Sequence, residues 1–175
     1  MERISKMLVA MSVAAFLPLC LCAGEADNTP VGSLDLPRYL GRWYEIARFD
    51  HSFERGMSRV SAEYRLRDDG KVEVVNSGWK DGKFKQALGK AKQPDPEKNP
   101  ALLKVSFFLF FYSDYRVLML SDDYSVALVG SSSDKYLWIL SRTPVLPQET
   151  LDAVLAEARR RGYDTSKLIW VDQKD

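Results

Sequence analysis

Beyond residue 22 the chain has no cysteine, and its whole length holds one histidine, His51. The first absence excludes disulfides and thiol nucleophiles from everything downstream. A domain built there must stand on core packing alone. The second excludes a multi-histidine metal centre or acid–base site. An excess of one charge is missing too. Lys and Arg number 25 against 24 Asp and Glu, with no long basic run, so nucleic acid is not an expected partner. No Gly-X-Ser-X-Gly elbow occurs. The paired carboxylates Asp68-Asp69 and Asp122-Asp123 are explained by turn chemistry. No internal repeat is present. These gaps leave little from which to build catalysis, and the chain reads as a binding protein with no enzyme activity, metal or cofactor.

At 175 residues the expectation is one domain with a sizeable core. Arg3 and Lys6 precede an almost wholly apolar stretch, residues 7–21, and small residues follow at Ala23, Gly24 and Ala26. This is the layout of an export signal, too short for a comfortable membrane span. Residues 1–23 are read as that signal, 24–35 as a polar tether and 36–175 as the domain. Both cysteines, Cys20 and Cys22, close the apolar stretch and are candidate lipidation sites. A leucine precedes each, where a lipoprotein signal prefers a small residue. Export therefore ends either in a lipid-anchored form at the outer membrane or in a soluble periplasmic one.

The rest of the chain alternates. A turn-like segment with Pro37 leads through Gly41 into a first strand, residues 43–49. Residues 50–59 break the pattern as a long loop, a frequent place for function. Val60, Ala62, Tyr64 and Leu66 then alternate with polar residues, the period of a half-buried strand. Asp-Gly pairs at 69–70 and 81–82 turn the chain into strands 71–79 and 83–92. Further strands are expected at 102–107, 116–120, 124–129 and 136–142. Eight short strands with local turns suggest an up-and-down sheet closing on itself, wide enough inside to be filled or to hold one small ligand. One helix follows, from Pro147 to a glycine stop at Gly162, with Leu151, Val154, Leu155 and Ala158 on its apolar face. Arg159-Arg160-Arg161 reads as its solvated C-terminal end. A last short strand spans 168–171.

Three patterns carry a family resemblance: Gly41-Arg42-Trp43-Tyr44-Glu45 at the first strand, Asp122-Asp123-Tyr124 in a late turn, and Ser141-Arg142 ending the eighth strand. Together, in this order and ahead of a helix and short strand, they resemble the lipocalins. Residues 41–53, 126–129 and 136–144 are especially similar to the bacterial outer-membrane branch of that family. The resemblance implies an all-β fold. Its core is an eight-stranded antiparallel up-and-down β-barrel, a calyx closed at one end, with one C-terminal α-helix and a short final strand. Gly41, Trp43, Tyr44, Asp123, Tyr124 and Arg142 would be its structural signature, with Trp43 and Arg142 meeting at the closed end. A guanidinium can lie on an indole and still donate to backbone carbonyls, so Arg142 is expected to act as a latch.

The run Phe107-Phe108-Leu109-Phe110-Phe111-Tyr112 departs from that pattern. Related sequences typically carry Gly-Pro where Leu109-Phe110 stands. The run is either a fully buried strand or an apolar cluster at the open mouth beside the 50–59 loop. On the mouth reading, His51, Phe53, Arg55, Met57, Arg59, Phe107, Phe108, Phe110, Phe111 and Tyr112 would meet a ligand. The implied ligand is a small amphipathic lipid, a fatty acid or lysophospholipid, stored or carried for membrane maintenance. A haem or pigment carrier using His51, or a non-binding envelope scaffold, are the alternatives. Membrane association would come through the N-terminal anchor, and the chain is read as a monomer or homodimer.

Overall fold

A single helical turn, α1 (Leu36–Tyr39), opens the domain. Pro37 sits in its first turn, where an N–H is not needed, and Asp35 caps it by accepting from the Arg38 amide at 3.2 Å. Gly41, at φ 91°, then turns the chain into β1 (Gly41–Phe49) in a backbone conformation that costs other residues strain. The computed structural model describes residues 25–174. The expected export signal, with Cys20 and Cys22, lies outside the described residues.

Seven strands follow β1 in antiparallel succession: β2 (Ser58–Leu66), β3 (Val72–Lys80), β4 (Lys83–Lys92), β5 (Leu102–Phe108), β6 (Phe111–Leu120), β7 (Val126–Gly130) and β8 (Leu137–Ser141). β1 pairs with β2 through Gly41–Tyr44 and with β8 through Tyr44–Arg48, which closes the barrel. After α2 (Gln148–Arg160) and a 3-10 turn (Thr165–Lys167), β9 (Leu168–Trp170) adds to the upper part of β1. The expected barrel, helix and final strand are therefore present.

Two boundaries differ usefully. β6 begins five residues earlier than the expected 116, so the phenylalanine run is a hairpin with Leu109 and Phe110 at its turn. β7 begins at Val126, not 124. Ser121 Oγ accepts from the amides of Ser125 and Val126, which holds 121–125 as a turn.

Two apolar cores share one wall. The inner one fills the bottom of the barrel around Tyr39, Trp43, Val72, Leu103, Val117 and Leu140. The outer one lies between the barrel and α2, with Ala47, Phe49, Leu118, Leu128, Ile139, Val154 and Ala158. All five residues of β7 are consequently buried, with no alternation.

At the helix end Arg159 and Arg160 are exposed as expected, but Arg161 is not. Arg161 is 9% exposed and donates to the carbonyls of Asp27, Thr29 and Leu118 and to Glu157. Its acceptors come partly from residues 25–34, which lie along the barrel wall and do not hang free as a tether. Asp27 N donates to Arg161 O at 2.7 Å and Val31 N to Val117 O at 2.8 Å. Ala26 is buried in the outer core.

Candidate functional site

Connections between strands alternate between the two ends. Residues 50–57, 81–82, 109–110 and 131–136 gather at one end; α1 and residues 67–71, 93–101 and 121–125 gather at the other. The second end is sealed. Trp43 donates to Tyr39 O at 2.8 Å, and the Arg142 guanidinium lies 3.9 Å from the indole centre. Arg142 also donates to the carbonyls of Arg38, Tyr39, Arg42 and Tyr124, so one side chain ties α1, β1 and the 121–125 turn together. Tyr124, at φ 61°, takes Arg38 over its ring at 4.1 Å and receives Asp35 N at its hydroxyl. Asp123 accepts from Ser121 and Ser125 within the turn, which holds its carboxyl down at about 2.

Above this floor three hydroxyls from α1, β2 and β6 converge. Tyr115 is 2.6 Å from Tyr39 and 3.1 Å from Tyr64. Burial pushes all three phenols up, Tyr64 to about 12, so they stay neutral hydrogen-bonding groups.

Tyr64 and Tyr115 form the bottom of a cavity of about 560 Å³. Its walls include Val60, Ala62, Val74, Val105 and Leu140. Its upper rim includes Phe53, Met57, Phe107, Phe108 and Phe111. That volume lies within the roughly 300–1,000 Å³ typical of small-molecule sites. A few polar groups interrupt the apolar lining. The side-chain oxygen of Asn76 is buried without a hydrogen-bond partner among the described residues.

Glu45 and Glu54 also reach the cavity wall, held by a buried cation. Glu45 and Arg48 are three apart and would face opposite sides of a regular strand. A bulge between Glu45 and Ala47 turns both inward, and Arg48 Nη1 donates to Glu45 at 2.6 Å. Arg48 Nη2 donates to Glu54 O at 2.6 Å. Glu54 Oε2 accepts from Trp138 at 3.2 Å and lies 2.9 Å from His51 Nε2, an ion-pair distance whose alignment falls short of a hydrogen bond. Burial and the nearby Glu54 charge hold the Glu45 carboxyl well above its ordinary range, against the pull of Arg48. Burial pushes Glu54 up as well, but His51, Trp138 and Arg48 outweigh it and its carboxyl sits lower than usual.

Of the residues expected at the mouth, Phe53, Met57, Phe107, Phe108 and Phe111 lie on the cavity wall. His51 is only 6% exposed, stacked on Phe53 at 3.9 Å between centroids, and is not part of that wall. Arg55 is exposed and paired with Asp50. Arg59 lies over the Trp79 ring at 4.3 Å, outside the cavity lining. Phe110 is the hairpin tip, 74% exposed, and Tyr112 faces Lys90 and Lys92 away from the lining. The tyrosine cluster, Glu45, Arg48, Glu54 and Asn76 were not among the sequence candidates. They come from distant strands and share no local motif.

A barrel sealed at one end, with an apolar cavity opening at the other, defines a calyx-type carrier of small hydrophobic molecules. A lipocalin-like domain profile matches residues 34–173. The chain belongs to the lipocalin family. It is 48% identical over 170 residues to the outer membrane lipoprotein Blc of Escherichia coli K12, covering 95% of this chain and 96% of that protein. It is 45% identical to the protein of the same name in Vibrio cholerae, over 92% and 99% of the two chains. Among solved structures, insecticyanin from the tobacco hornworm superposes with a TM-score of 0.71 at 25% identity, over 87% and 91% of the chains.

Proposed function

We propose that the calyx holds one amphipathic lipid, a fatty acid or lysophospholipid, and carries it in the bacterial cell envelope at or beside the outer membrane. The observation that carries this is the shape and chemistry of the cavity: apolar walls, a polar floor and a rim of phenylalanines. A buried chain gains about 0.8 kcal/mol per methylene, enough over several carbons to offset the cost of immobilising the ligand. The unpartnered Asn76 oxygen and the Glu45 carboxyl on the cavity wall favour a ligand with a polar group over pure hydrocarbon. The names of the E. coli and V. cholerae relatives support an outer-membrane setting. Haem ligation by His51 is disfavoured by its burial against Phe53 and Glu54.

A fluorescent fatty acid should bind saturably at one site per chain. Val105→Trp, which fills the cavity, should weaken binding at least about tenfold, or about 1.4 kcal/mol, with the fold retained by circular dichroism. Unchanged affinity would place the ligand elsewhere.

The hairpin tip is proposed to touch the membrane during loading. Phe108, Leu109, Phe110 and Phe111 are each more than 60% exposed. Leu109 stands at φ 49°, a glycine-like position that costs a leucine about 1–2 kcal/mol. Leu109→Gly with Phe110→Pro should therefore leave thermal stability equal or about 1 kcal/mol higher while weakening sedimentation with phospholipid vesicles. A collapsed melt would mean that the tip is a structural element; full vesicle binding would mean that it has no part in membrane contact.

A further inference from the structure

The barrel wall is not continuous. β4 pairs with β3 along its length, from Val72↔Ala91 to Lys80↔Lys83. Its pairing with β5 stops after Lys90↔Ser106, Ala91↔Val105 and Lys92↔Lys104. Residues 83–89 thus show no ladder partner on the β5 side among the described residues, while β5 goes on to Phe108 against β6. Burial agrees with an opening there. A half-buried strand should hide every second residue, but all six from Lys83 to Leu88 are exposed.

The cause of the parting lies where the ladder ends. A Cβ on Gly89 would come within 2.8 Å of the Phe107 ring and of Ser106 O, so glycine alone lets that ring lie against β4. Phe107 acts as a wedge: the strands are paired below it and separate above it. Both lips of the gap also line the cavity, through Lys85, Gln86 and Ala87 on one side and Phe107, Phe108 and Phe111 on the other. The gap is therefore a slot in the cavity wall, running from the mouth down to Phe107, and not merely an exposed edge. Its outer margin is apolar, with Leu88 and Phe108 65% and 67% exposed.

We propose that this slot is a side portal through which the hydrocarbon chain of the ligand enters and leaves the calyx. This rests on the lipid reading given above. A chain sliding in sideways meets Ala87 and the aliphatic stems of Lys85 and Gln86 on one lip and the rings of Phe107 and Phe108 on the other, so its hydrocarbon stays largely against apolar surface. The small lining residue Ala87 makes one lip low, and the phenylalanines make the other a sliding surface. Free edges normally invite another strand, and Lys83 and Lys85 on this edge work against that pairing.

Continuing the register past Lys90↔Ser106 sets Leu88 opposite Phe108. The test is the variant Leu88→Cys with Phe108→Cys, in a chain whose Cys20 and Cys22 are serine, loaded with cis-parinaric acid in a stopped-flow fluorimeter. Oxidised to the internal disulfide, it should load and release at least about tenfold more slowly than when reduced, with the dissociation constant changed less than about threefold. A second variant, Leu88→Lys with Phe108→Glu, should slow both steps by charging the lips and serves where the disulfide does not close. Loading at the unaltered rate in the stapled protein, or in the charged variant, overturns the portal and leaves the top mouth as the route. A rate limited by dissociation of protein dimers, seen as dependence on protein concentration, also overturns it, because the edge would then belong to a second copy. If the unaltered chain shows no saturable uptake at all, the lipid reading falls and the portal with it.

Discussion

Replacing Arg48 with leucine should destabilise the protein by about 3–5 kcal/mol, because it strands two buried carboxyl-bearing residues that the guanidinium now serves. Arg48 is 1% exposed, ion-paired to Glu45 at 2.6 Å and hydrogen-bonded to the Glu54 carbonyl. The loss should depend on pH. The Glu45 carboxyl already sits above its ordinary 4.5, and without its cation it would sit higher. A carboxyl raised in the folded state stabilises the fold most when protonated, below its unfolded value near 4.5. That contribution disappears as pH rises through the folded value. The variant should accordingly be more damaged at pH 8 than at pH 5. Glu54, lowered in the folded protein, acts in the opposite sense and loses its contribution as pH falls. Adding Glu45→Gln to Arg48→Leu removes the stranded charge and should recover a good part of the loss at pH 8. Urea melts at the two pH values decide the matter. Equal losses at both, with no recovery in the double variant, would show that Arg48 matters through packing alone.

Arg142→Ala should cost about 2–4 kcal/mol, from the cation–π contact and the carbonyl acceptors left unserved. The side chain reaches the carbonyls of Arg38, Tyr39, Arg42 and Tyr124 while lying on Trp43, and all of these belong to the sealed end. Fatty-acid affinity should change by less than about threefold in protein still folded at the assay temperature, because the rim and walls are remote from this latch. Arg142→Lys keeps the charge but loses the planar fork, and should fall between alanine and the parent. A large affinity loss with an unshifted melt would mean that the sealed end communicates with the ligand.

The latch was legible because the Gly41, Trp43 and Arg142 patterns resemble those of the lipocalins, and that resemblance implies that the tryptophan and arginine meet at the closed end. The strands themselves were legible from alternation, since Val60, Ala62 and Tyr64 point one way and their neighbours the other. Glu45 and Arg48 were not, because a single bulge changes the spacing that brings them together from two to three. The three converging tyrosines leave no trace in any local window. The turn of the phenylalanine hairpin was obscured by Leu109, which occupies a conformation where glycine is expected. Arg161 looked solvated because nothing in the helix shows that residues 25–34 cover its end. β4 could be recognised as a strand, but an absent neighbour has no sequence signature of its own.

The path of residues 25–35 gives the outside of the barrel a direction. Asp27 lies at Arg161, Asn28 at Arg116 and Tyr163, Val31 at Val117 and Asp35 at Tyr124. In chain order these contacts descend from the middle of β6 to the sealed floor. The first described residues therefore lie nearer the open end than Asp35 does. An acyl group on Cys22 would be three residues from Glu25, a leash of at most about 10 Å. So short a leash would favour an orientation with the phenylalanine rim and the gap beside β4 toward the bilayer and the latch toward the aqueous side. Lengthening the leash would then loosen orientation without touching the cup.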